Sequence, residues 1–290
     1  MPESRSTEDL GIEIADDYVT TIEIRRPPAN FFDLSLIAQL ADTIEELDAD
    51  DRTRAVVLCA EGKHFCAGAN FGGGSSSAAG GRSSSAAGGG SSSAARGRSS
   101  SSSSSAESSD DDGRHLYDEA VRLFATQTPV VAAIQGAAVG GGLGLALFPD
   151  FRVACPESRF SANFARLGFH HGFGLSVTLP ELVGSQVAMD LLYTGRRVPG
   201  EEAHTIGLCD RLVEADRLRD EARAWAVEIA TSAPLAIRSI RETLRGDLAN
   251  RIRLATDREK AEQDRLQKTA DFREGIRAMG ERRTPEFEGR

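Results

Sequence analysis

Two apolar runs in this sequence each lead into a segment dominated by glycine and alanine. Arg54–Cys59 precedes Phe65–Asn70, and Pro129–Ile134 precedes Gly136–Gly144. Short apolar runs bounded by such breaker residues are typical of buried strands. We therefore predict an α/β fold in which two core strands each end in a segment of small residues.

Small residues at a strand end let a ligand approach the backbone closely. The second segment continues into the apolar helical run Leu143–Phe148, and the first N–H groups of a helix lack intrahelical partners. Two such segments can direct one N–H each at a single oxygen, which is the geometry that holds an enolate or a tetrahedral oxyanion. Neither segment has the Lys-Ser/Thr ending of a phosphate loop or the Gly-x-Gly-x-x-Gly spacing of a dinucleotide fold.

Composition excludes several classes of protein. The 290 residues are 40% hydrophobic, which supports a large core, and the net charge of −10 disfavours nucleic-acid binding. No stretch reaches the apolar length of a membrane span, and Met1–Leu10 lacks the pattern of a signal peptide, so we expect a cytoplasmic protein. The cysteines lack paired spacing, so we predict reduced thiols and no metal site. They are Cys59, Cys66, Cys155 and Cys209.

Strands and helices alternate in the first part of the chain. Gly11–Ala15 and Tyr18–Ile24 predict a β-hairpin, and Ser35 is the predicted N-cap of a helix over Leu36–Leu47. A second helix is predicted over Leu116–Thr126. From Asp216 onward nearly every residue falls in a predicted helix. These helices are Asp216–Ala230, Pro234–Leu248, Ile252–Lys268 and Asp271–Gly280.

Residues 71–113 consist almost entirely of serine, glycine and alanine, with an acidic end at Asp110–Asp112. Such a tract has almost no apolar side chain larger than alanine to offset the entropy of ordering. We predict that this tract is flexible. Whether it is a genuine insertion or a stand-in sequence stays open.

Several ordered motifs resemble the crotonase, or enoyl-CoA hydratase/isomerase, superfamily. They are Phe65–Asn70, Val131–Gly142, Pro149–Ala154, Thr194–Val198, Gly207–Asp210 and Asp271–Gly275. The resemblance implies a spiral of β-β-α turns over residues 1–70 and 114–200. It also implies a helical C-terminal trimerisation region over residues 201–290, and therefore a homotrimer or hexamer.

The resemblance further implies an acyl-CoA thioester as substrate, with coenzyme A as part of that substrate and no separate cofactor. Ala69 and Gly141 match the positions whose N–H groups form the family's oxyanion hole. The other predicted substrate contacts are Lys63, Ala67, Gly140, Asn163 and Phe164. Candidates for the coenzyme A phosphates, which basic groups would bind, are Arg25, Arg26, Lys63, Lys260 and Lys268.

Both glutamates of the family's hydratases are replaced, by Gly144 and Phe164. Hydration by two acids would need substitute groups, whereas double-bond isomerisation needs one proton shuttle. We therefore favour an isomerase or lyase of fatty-acid metabolism, with His170 or His171 as the shuttle. An alternative role for these histidines is to cap or pack the following helix, and Asn163 has a structural alternative as well.

Other activities stay open. Hydration or hydrolytic C–C cleavage with substitute residues is one alternative. A catalytically inactive subunit that binds coenzyme A for assembly or sensing is another, from a different class of function.

Overall fold

The computed structural model describes residues 3–69 and 115–290. The predicted insertion at 71–113, and Asn70, lie outside the described residues. The strands in the described part are β1 (Glu3–Ser6), β2 (Leu10–Ile14), β3 (Val19–Ile24), β4 (Ala55–Ala60), β5 (Val130–Ile134), β6 (Ala137–Val139), β7 (Phe151–Ala154), β8 (Arg159–Ser161), β9 (Val198–Pro199) and β10 (Arg211–Leu212).

The helices in the same ranges are α1 (Leu34–Asp48), α2 (Leu116–Phe124), α3 (Gly141–Leu147), α4 (Leu175–Thr194), α5 (Gly200–Thr205), α6 (Leu218–Ala230), α7 (Pro234–Arg245), α8 (Leu248–Leu266) and α9 (Ala270–Glu281). Two short 3-10 helices, Asn163–Leu167 and Ala215–Arg217, precede α4 and α6.

A seven-stranded sheet forms the main layer, in the order β1-β2-β3-β4-β5-β7-β10. The first three strands are antiparallel, which confirms the predicted hairpin, and the remaining neighbours are parallel. β4 and β5 lie at its centre with every residue buried. Their unbroken apolar sequences follow from helices covering both faces of a parallel sheet.

A second, three-stranded sheet carries the small-residue segments. β6 pairs in parallel with β8, and β8 pairs with β9. Two isolated bridges, Cys66 with Ala138 and Phe32 with Ala69, extend this layer. The chain thus alternates between a strand in the main sheet, a short strand in the second layer and a helix, as the predicted spiral of β-β-α turns requires.

Helix α1 begins one residue after Asp33, whose side chain accepts a hydrogen bond from the Leu36 N–H at 3.0 Å. The predicted cap at Ser35 is wrong, because Ser35 already lies in the first helical turn. The apolar residues Leu36, Leu40 and Ile44 face the core, as their spacing predicts.

Two apolar clusters fill the space on either side of the main sheet. The larger cluster joins the sheet to α1, α2, α3 and α4, and the smaller one lies beneath α6. In the smaller cluster Ala222 and Ala226 pack near Val57 and Val131. Alanines on this face let α6 lie close to the strands.

Helix α7 has no fully buried residue, and charged groups attach it to the core. Arg241 Nε lies 3.0 Å from an Asp150 carboxylate oxygen, and Arg245 pairs with the same carboxylate. Asp150 also accepts a hydrogen bond from the Val130 N–H at 2.9 Å. Burial alone would raise the pKa of Asp150. The charges of Arg241 and Arg245 outweigh this effect, so the pKa lies below its usual value.

Residues 201–290 are mainly helical, as predicted, but β10 lies in this range and joins the edge of the main sheet. The C-terminal region is therefore continuous with the core. Among the described helices none combines the length and apolar character that a bilayer span needs.

Candidate active site

The two small-residue segments lie side by side and are joined through their backbones. The Cys66 N–H donates to the Ala137 carbonyl at 2.9 Å, and the Val139 N–H donates back to the Cys66 carbonyl at 3.1 Å. On the other side, the Phe32 N–H donates to the Gly68 carbonyl at 3.2 Å. These bonds fix the backbone that leads into Ala69.

Close backbone approach explains the glycines of both segments. Gly68 has φ +93°, and a Cβ there would lie 2.7 Å from the Val139 carbonyl oxygen. A Cβ at Gly141 would overlap the Phe32 ring, and one at Gly142 would overlap the Cys66 carbonyl. A larger residue at Gly68 or Gly142 would push the two segments apart, and one at Gly141 would displace the Phe32 ring.

Ala69 and Gly141 line the same cavity, whose volume is about 80 Å³. Gly141 is the first residue of α3, so its N–H has no acceptor within that helix. The small residues of the wall are Ala67, Gly68, Ala69, Gly140 and Gly141, and its aromatic residues are Phe32, Tyr117, Phe164, Phe169, Phe173 and Phe272. Leu116, Val139, Leu167 and Met279 complete the apolar part.

The polar side chains of this wall are uncharged. Besides the Tyr117 hydroxyl they are the amides of Asn163, Gln263 and Gln267. No carboxylate, imidazole, ammonium or guanidinium group lines the cavity within residues 3–69 and 115–290. The same ranges contain no cluster of histidine, cysteine and acidic side chains able to hold a metal ion.

Phenyl rings occupy the space around Gly144 and Phe164, the positions at which the family resemblance predicts the glutamates of hydratases. A Cβ at Gly144 would lie 2.5 Å from Phe173 Cβ, so the core is closed there. Phe164 lines the cavity and meets Phe169 edge to face, with ring centroids 5.4 Å apart. This part of the wall is aromatic where a two-acid hydratase would be acidic.

The predicted substrate contacts divide between two sites. Ala67, Gly140, Asn163 and Phe164 line the cavity with Ala69 and Gly141. Lys63 does not; it lines a neighbouring cleft with His64, and Val139 borders both.

Three of the basic candidates for the coenzyme A phosphates already form ion pairs. Arg25 pairs with Glu23 at 2.9 Å, Arg26 with Asp9 at 2.6 Å and Lys260 with Asp264 at 3.3 Å. Lys63 and Lys268 are exposed. The phosphate-binding role of all five residues remains a prediction.

The structure places His170 and His171 outside the cavity wall. The His170 Nδ1–H donates to the His171 carbonyl at 2.7 Å, and His171 Nε2 lies 2.8 Å from Ser176 Oγ. Burial and the neighbouring His170 lower the pKa of His171 to about 4. These contacts agree with the helix-packing alternative, and the proton-shuttle role stays a prediction.

A buried carboxylate holds the start of α4 beside these histidines. Glu259 accepts hydrogen bonds from the Gly174 N–H at 2.9 Å and the Ser176 N–H at 3.0 Å, and lies 3.9 Å from His171 Nε2. Burial raises the pKa of Glu259, and the hydrogen bonds from Ser176 and Gly174 oppose this. The loop over residues 170–174 is therefore anchored to α8.

Sequence reasoning missed Tyr117, Gln263 and Gln267. Tyr117 follows Leu116 on the apolar side of α2, so it resembled a core residue. Gln263 lies in the mostly polar helix α8, and Gln267 follows its last residue. No local sequence pattern distinguishes them from glutamines exposed to solvent. They reach the site only because α8 packs across α2.

Comparisons with known proteins agree with this architecture. The family model for enoyl-CoA hydratase/isomerase matches residues 15–89 and 86–290. An enoyl-CoA isomerase/hydratase from Zymoseptoria tritici is 32% identical over 289 residues, covering 94% of this chain and 84% of that protein. A 1,2-epoxyphenylacetyl-CoA isomerase from Escherichia coli K12 is 27% identical, covering 94% of this chain and 95% of that protein.

A solved structure extends the agreement to the fold. The crystal structure of an enoyl-CoA hydratase/isomerase from Pseudoalteromonas atlantica superposes with a TM-score of 0.78 at 27% identity, covering 97% of this chain and all of that one. The chain therefore belongs to the enoyl-CoA hydratase/isomerase family of the crotonase superfamily.

Proposed function

We propose that this enzyme binds an acyl-CoA thioester with its carbonyl oxygen between the N–H groups of Ala69 and Gly141. The observation that carries the proposal is that both residues line one small cavity although they come from different strand ends. A proton passes from the acyl chain to the shuttle, for which His170 or His171 is the candidate, and the negative charge moves onto this oxygen, where two fixed N–H donors stabilise it. One such donor contributes about 3–4 kcal/mol to a transition state.

The mainly apolar wall strengthens this effect. Charge–dipole interactions increase as water is excluded, and the aromatic and aliphatic residues keep the reacting part of the thioester away from bulk solvent. Because the proposed donors are backbone N–H groups, Ala69 and Gly141 need no functional side chain.

Double-bond isomerisation is the favoured reaction. It requires one group that removes and returns a proton, whereas hydration requires a positioned water and two acids. The space at Gly144 is filled by Phe173, which argues against an acid acting from that position. The name of the E. coli relative, 1,2-epoxyphenylacetyl-CoA isomerase, also describes an isomerisation of an acyl-CoA thioester, although of an epoxide.

A proline at position 141 tests the donor directly. Proline lacks an N–H and is well tolerated at the first position of a helix. Its ring would meet Phe32, so we pair Gly141→Pro with Phe32→Ala and compare it with Gly141→Ala plus Phe32→Ala, which keeps the N–H. We expect the proline variant to have a kcat about 10²–10³-fold below that of its alanine control. Equal kcat values in two folded variants would contradict the proposal.

A non-catalytic role in binding coenzyme A is the second candidate. The absence of charged groups from the described part of the cavity wall favours it. Calorimetry with a panel of acyl-CoA thioesters, run beside isomerase, hydratase and hydrolase assays, separates the two. Binding without turnover in every assay would support this second role.

A further inference from the structure

A histidine ring joins the two small-residue segments beside their backbone bonds. The Ala137 N–H donates to His64 Nδ1 at 3.1 Å. Further along the segments, the Cys66 N–H donates to the Ala137 carbonyl at 2.9 Å, and the Val139 N–H donates to the Cys66 carbonyl at 3.1 Å. Both the N–H and the carbonyl of Ala137 are therefore bonded to the first segment.

The ring takes the place of a backbone acceptor. Cys66 lies opposite Ala138 in a parallel bridge, so the evenly spaced bonds of such a pair would continue from the Ala137 N–H to the His64 carbonyl. That carbonyl instead accepts a hydrogen bond from the buried Asn30 Nδ2 at 2.6 Å. The imidazole supplies the acceptor that the backbone does not.

The ring nitrogen lies against the turn between β5 and β6. Gly136, in this turn, has φ +55°, and a Cβ there would lie 2.8 Å from His64 Nδ1. The same Cβ would overlap the Lys63 carbonyl oxygen. Glycine suits position 136 because both the positive φ and the close approach disfavour a side chain.

Only the neutral ring can make the bond to Ala137. An imidazolium carries a proton on both nitrogens, whereas a nitrogen that accepts a hydrogen bond carries none. The ring proton of His64 therefore lies on Nε2. Burial and the positive charge of Lys63 lower the pKa of His64, so the neutral form predominates near neutral pH.

Other charged groups lie around His64 on two sides. Besides Lys63, the titratable or charged side chains that border its cleft are Cys155, Glu157, Arg159, Arg197, Asp216 and Arg219. On the side of Asn30 lie Glu61, which is exposed, and Arg26, which forms ion pairs. Basic groups outnumber acidic ones in the cleft, which also favours the neutral ring.

We propose that His64 is a positioning residue for the carbonyl site, because its neutral ring holds β6 and the residues that follow it in register with the first segment. The inference rests on the proposed function, since Ala69 and Gly141 lie a few residues further along these two segments. Without the bond to the ring, the segments can shift relative to each other, and the two N–H groups no longer meet at one oxygen.

Two ligands that differ in one oxygen test this role. Calorimetry on the full-length protein compares butyryl-CoA with S-butyl-CoA, a thioether that lacks the carbonyl oxygen, and the ratio of the two affinities measures the carbonyl preference. We expect wild type to prefer butyryl-CoA about tenfold at about pH 8. His64→Leu removes the acceptor and should reduce the preference to about threefold or less. A purely structural loss would instead weaken both ligands together.

His64→Asn is the conservative variant, because its side-chain oxygen can accept from the Ala137 N–H and does not titrate. Wild type should lose its carbonyl preference between about pH 8 and about pH 5, since protonation of His64 removes the acceptor as pH falls through its pKa. His64→Asn should keep the preference across the same range. His204→Leu removes an exposed histidine of α5 and should behave as wild type.

The outcomes separate this inference from the function on which it rests. If wild type binds both ligands equally at the alkaline end of the range, the carbonyl site is wrong and the inference falls with it. If wild type shows the preference there, the inference alone is overturned when His64→Leu keeps it, when wild type keeps it in acid, or when His64→Asn fails to keep it. Should His64→Leu not fold, the comparison of wild type with His64→Asn across pH still decides.

Discussion

At the scale of single residues, aromatic rings surround both Gly144 and Phe164. The Phe173 ring lies where a side chain at 144 would begin, and Phe164 packs against Phe169. Restoring a glutamate at either position would therefore require the rings to move.

Gly144→Glu should destabilise the protein without creating hydratase activity. The new Cβ would crowd Phe173, and overpacking a core costs about 1–3 kcal/mol before the cost of a buried carboxylate is added. Urea unfolding measures the loss. Gly280→Glu is the control, because nothing lies within 4 Å of an added Cβ there. Equal stability of the two variants would show that the site at 144 has room.

His171 should make stability depend on pH in a defined window. The pKa of His171 is about 4 in the folded chain, against the ordinary value of 6.5 in the unfolded chain. As pH falls from about 6.5 to about 4, the unfolded chain therefore binds a proton that the folded chain does not. Stability is therefore lost on acidification through this window and is fully present above it. The shift corresponds to at most about 3 kcal/mol.

Unfolding of wild type and His171→Gln at two pH values isolates this contribution. The raised pKa of Glu259 acts in the opposite direction, but it is common to both proteins. We expect wild type to lose roughly 1–3 kcal/mol more than the variant between about pH 7 and about pH 4.5. Parallel losses would mean that the His171 pKa is not lowered in the folded protein.

At the scale of elements, ion pairs rather than buried apolar side chains hold α7 against the core. Two of its three arginines, Arg241 and Arg245, converge on Asp150, which also binds the start of β5 through the Val130 N–H. Arg245 additionally donates to the Phe148 carbonyl at 2.9 Å. One carboxylate thus connects the C-terminal helices to the strand that leads into the second small-residue segment.

Asp150→Asn should loosen α7 and destabilise the protein. Removing one partner of a buried ion pair leaves the other charges uncompensated and costs about 3–5 kcal/mol. Hydrogen exchange should accelerate across residues 234–245. Asp247→Asn is the control, because Asp247 is exposed and its pair with Arg251 spans 3.6 Å, so we expect a loss below about 0.5 kcal/mol. Similar losses in both variants would contradict the role of Asp150.

Elements with strong local patterns were predicted from the sequence. The hairpin, the buried strands β4 and β5 and the helical C-terminal region are present. β1 was missed because Glu3–Ser6 is polar and exposed. The cap of α1 was misplaced because Asp33 and Ser35 both suit a cap, and only backbone geometry distinguishes them.

The candidate site was predictable only where it is made of backbone. The glycine segments predicted where a ligand could approach the backbone closely, and the family resemblance assigned Ala69 and Gly141 within them. The role of these two residues stays a prediction. Tyr117 and Gln263 are separated by 146 residues, and their meeting depends on tertiary packing that no local pattern encodes. The histidines were chosen by proximity in sequence to the predicted pocket, and the loop directs them towards α4 and α8.

At the scale of the whole molecule, several large apolar side chains of the C-terminal helices face outward. On α7 they are Leu235, at 80% exposure, Ile240 and Leu244, and on α8 Leu254. Large apolar side chains that are exposed in the single chain are candidates for burial in an interface. They agree with the homotrimer or hexamer that the family resemblance implies, which remains a prediction.

Sedimentation measures this directly. We expect a particle of three or six chains of 31.0 kDa, and Leu235→Glu with Leu244→Glu should shift it towards the monomer. Ser4→Glu with Ser6→Glu adds the same charge on the exposed strand β1 and should leave the mass unchanged. A monomeric wild-type protein would contradict the expectation.

The central claim is that two backbone amides share one thioester oxygen, and a crystal structure with bound butyryl-CoA tests it most directly. The account predicts that the carbonyl oxygen lies about 2.7–3.1 Å from both the Ala69 nitrogen and the Gly141 nitrogen. A bound thioester whose oxygen contacts only one of these nitrogens, or neither, would contradict it.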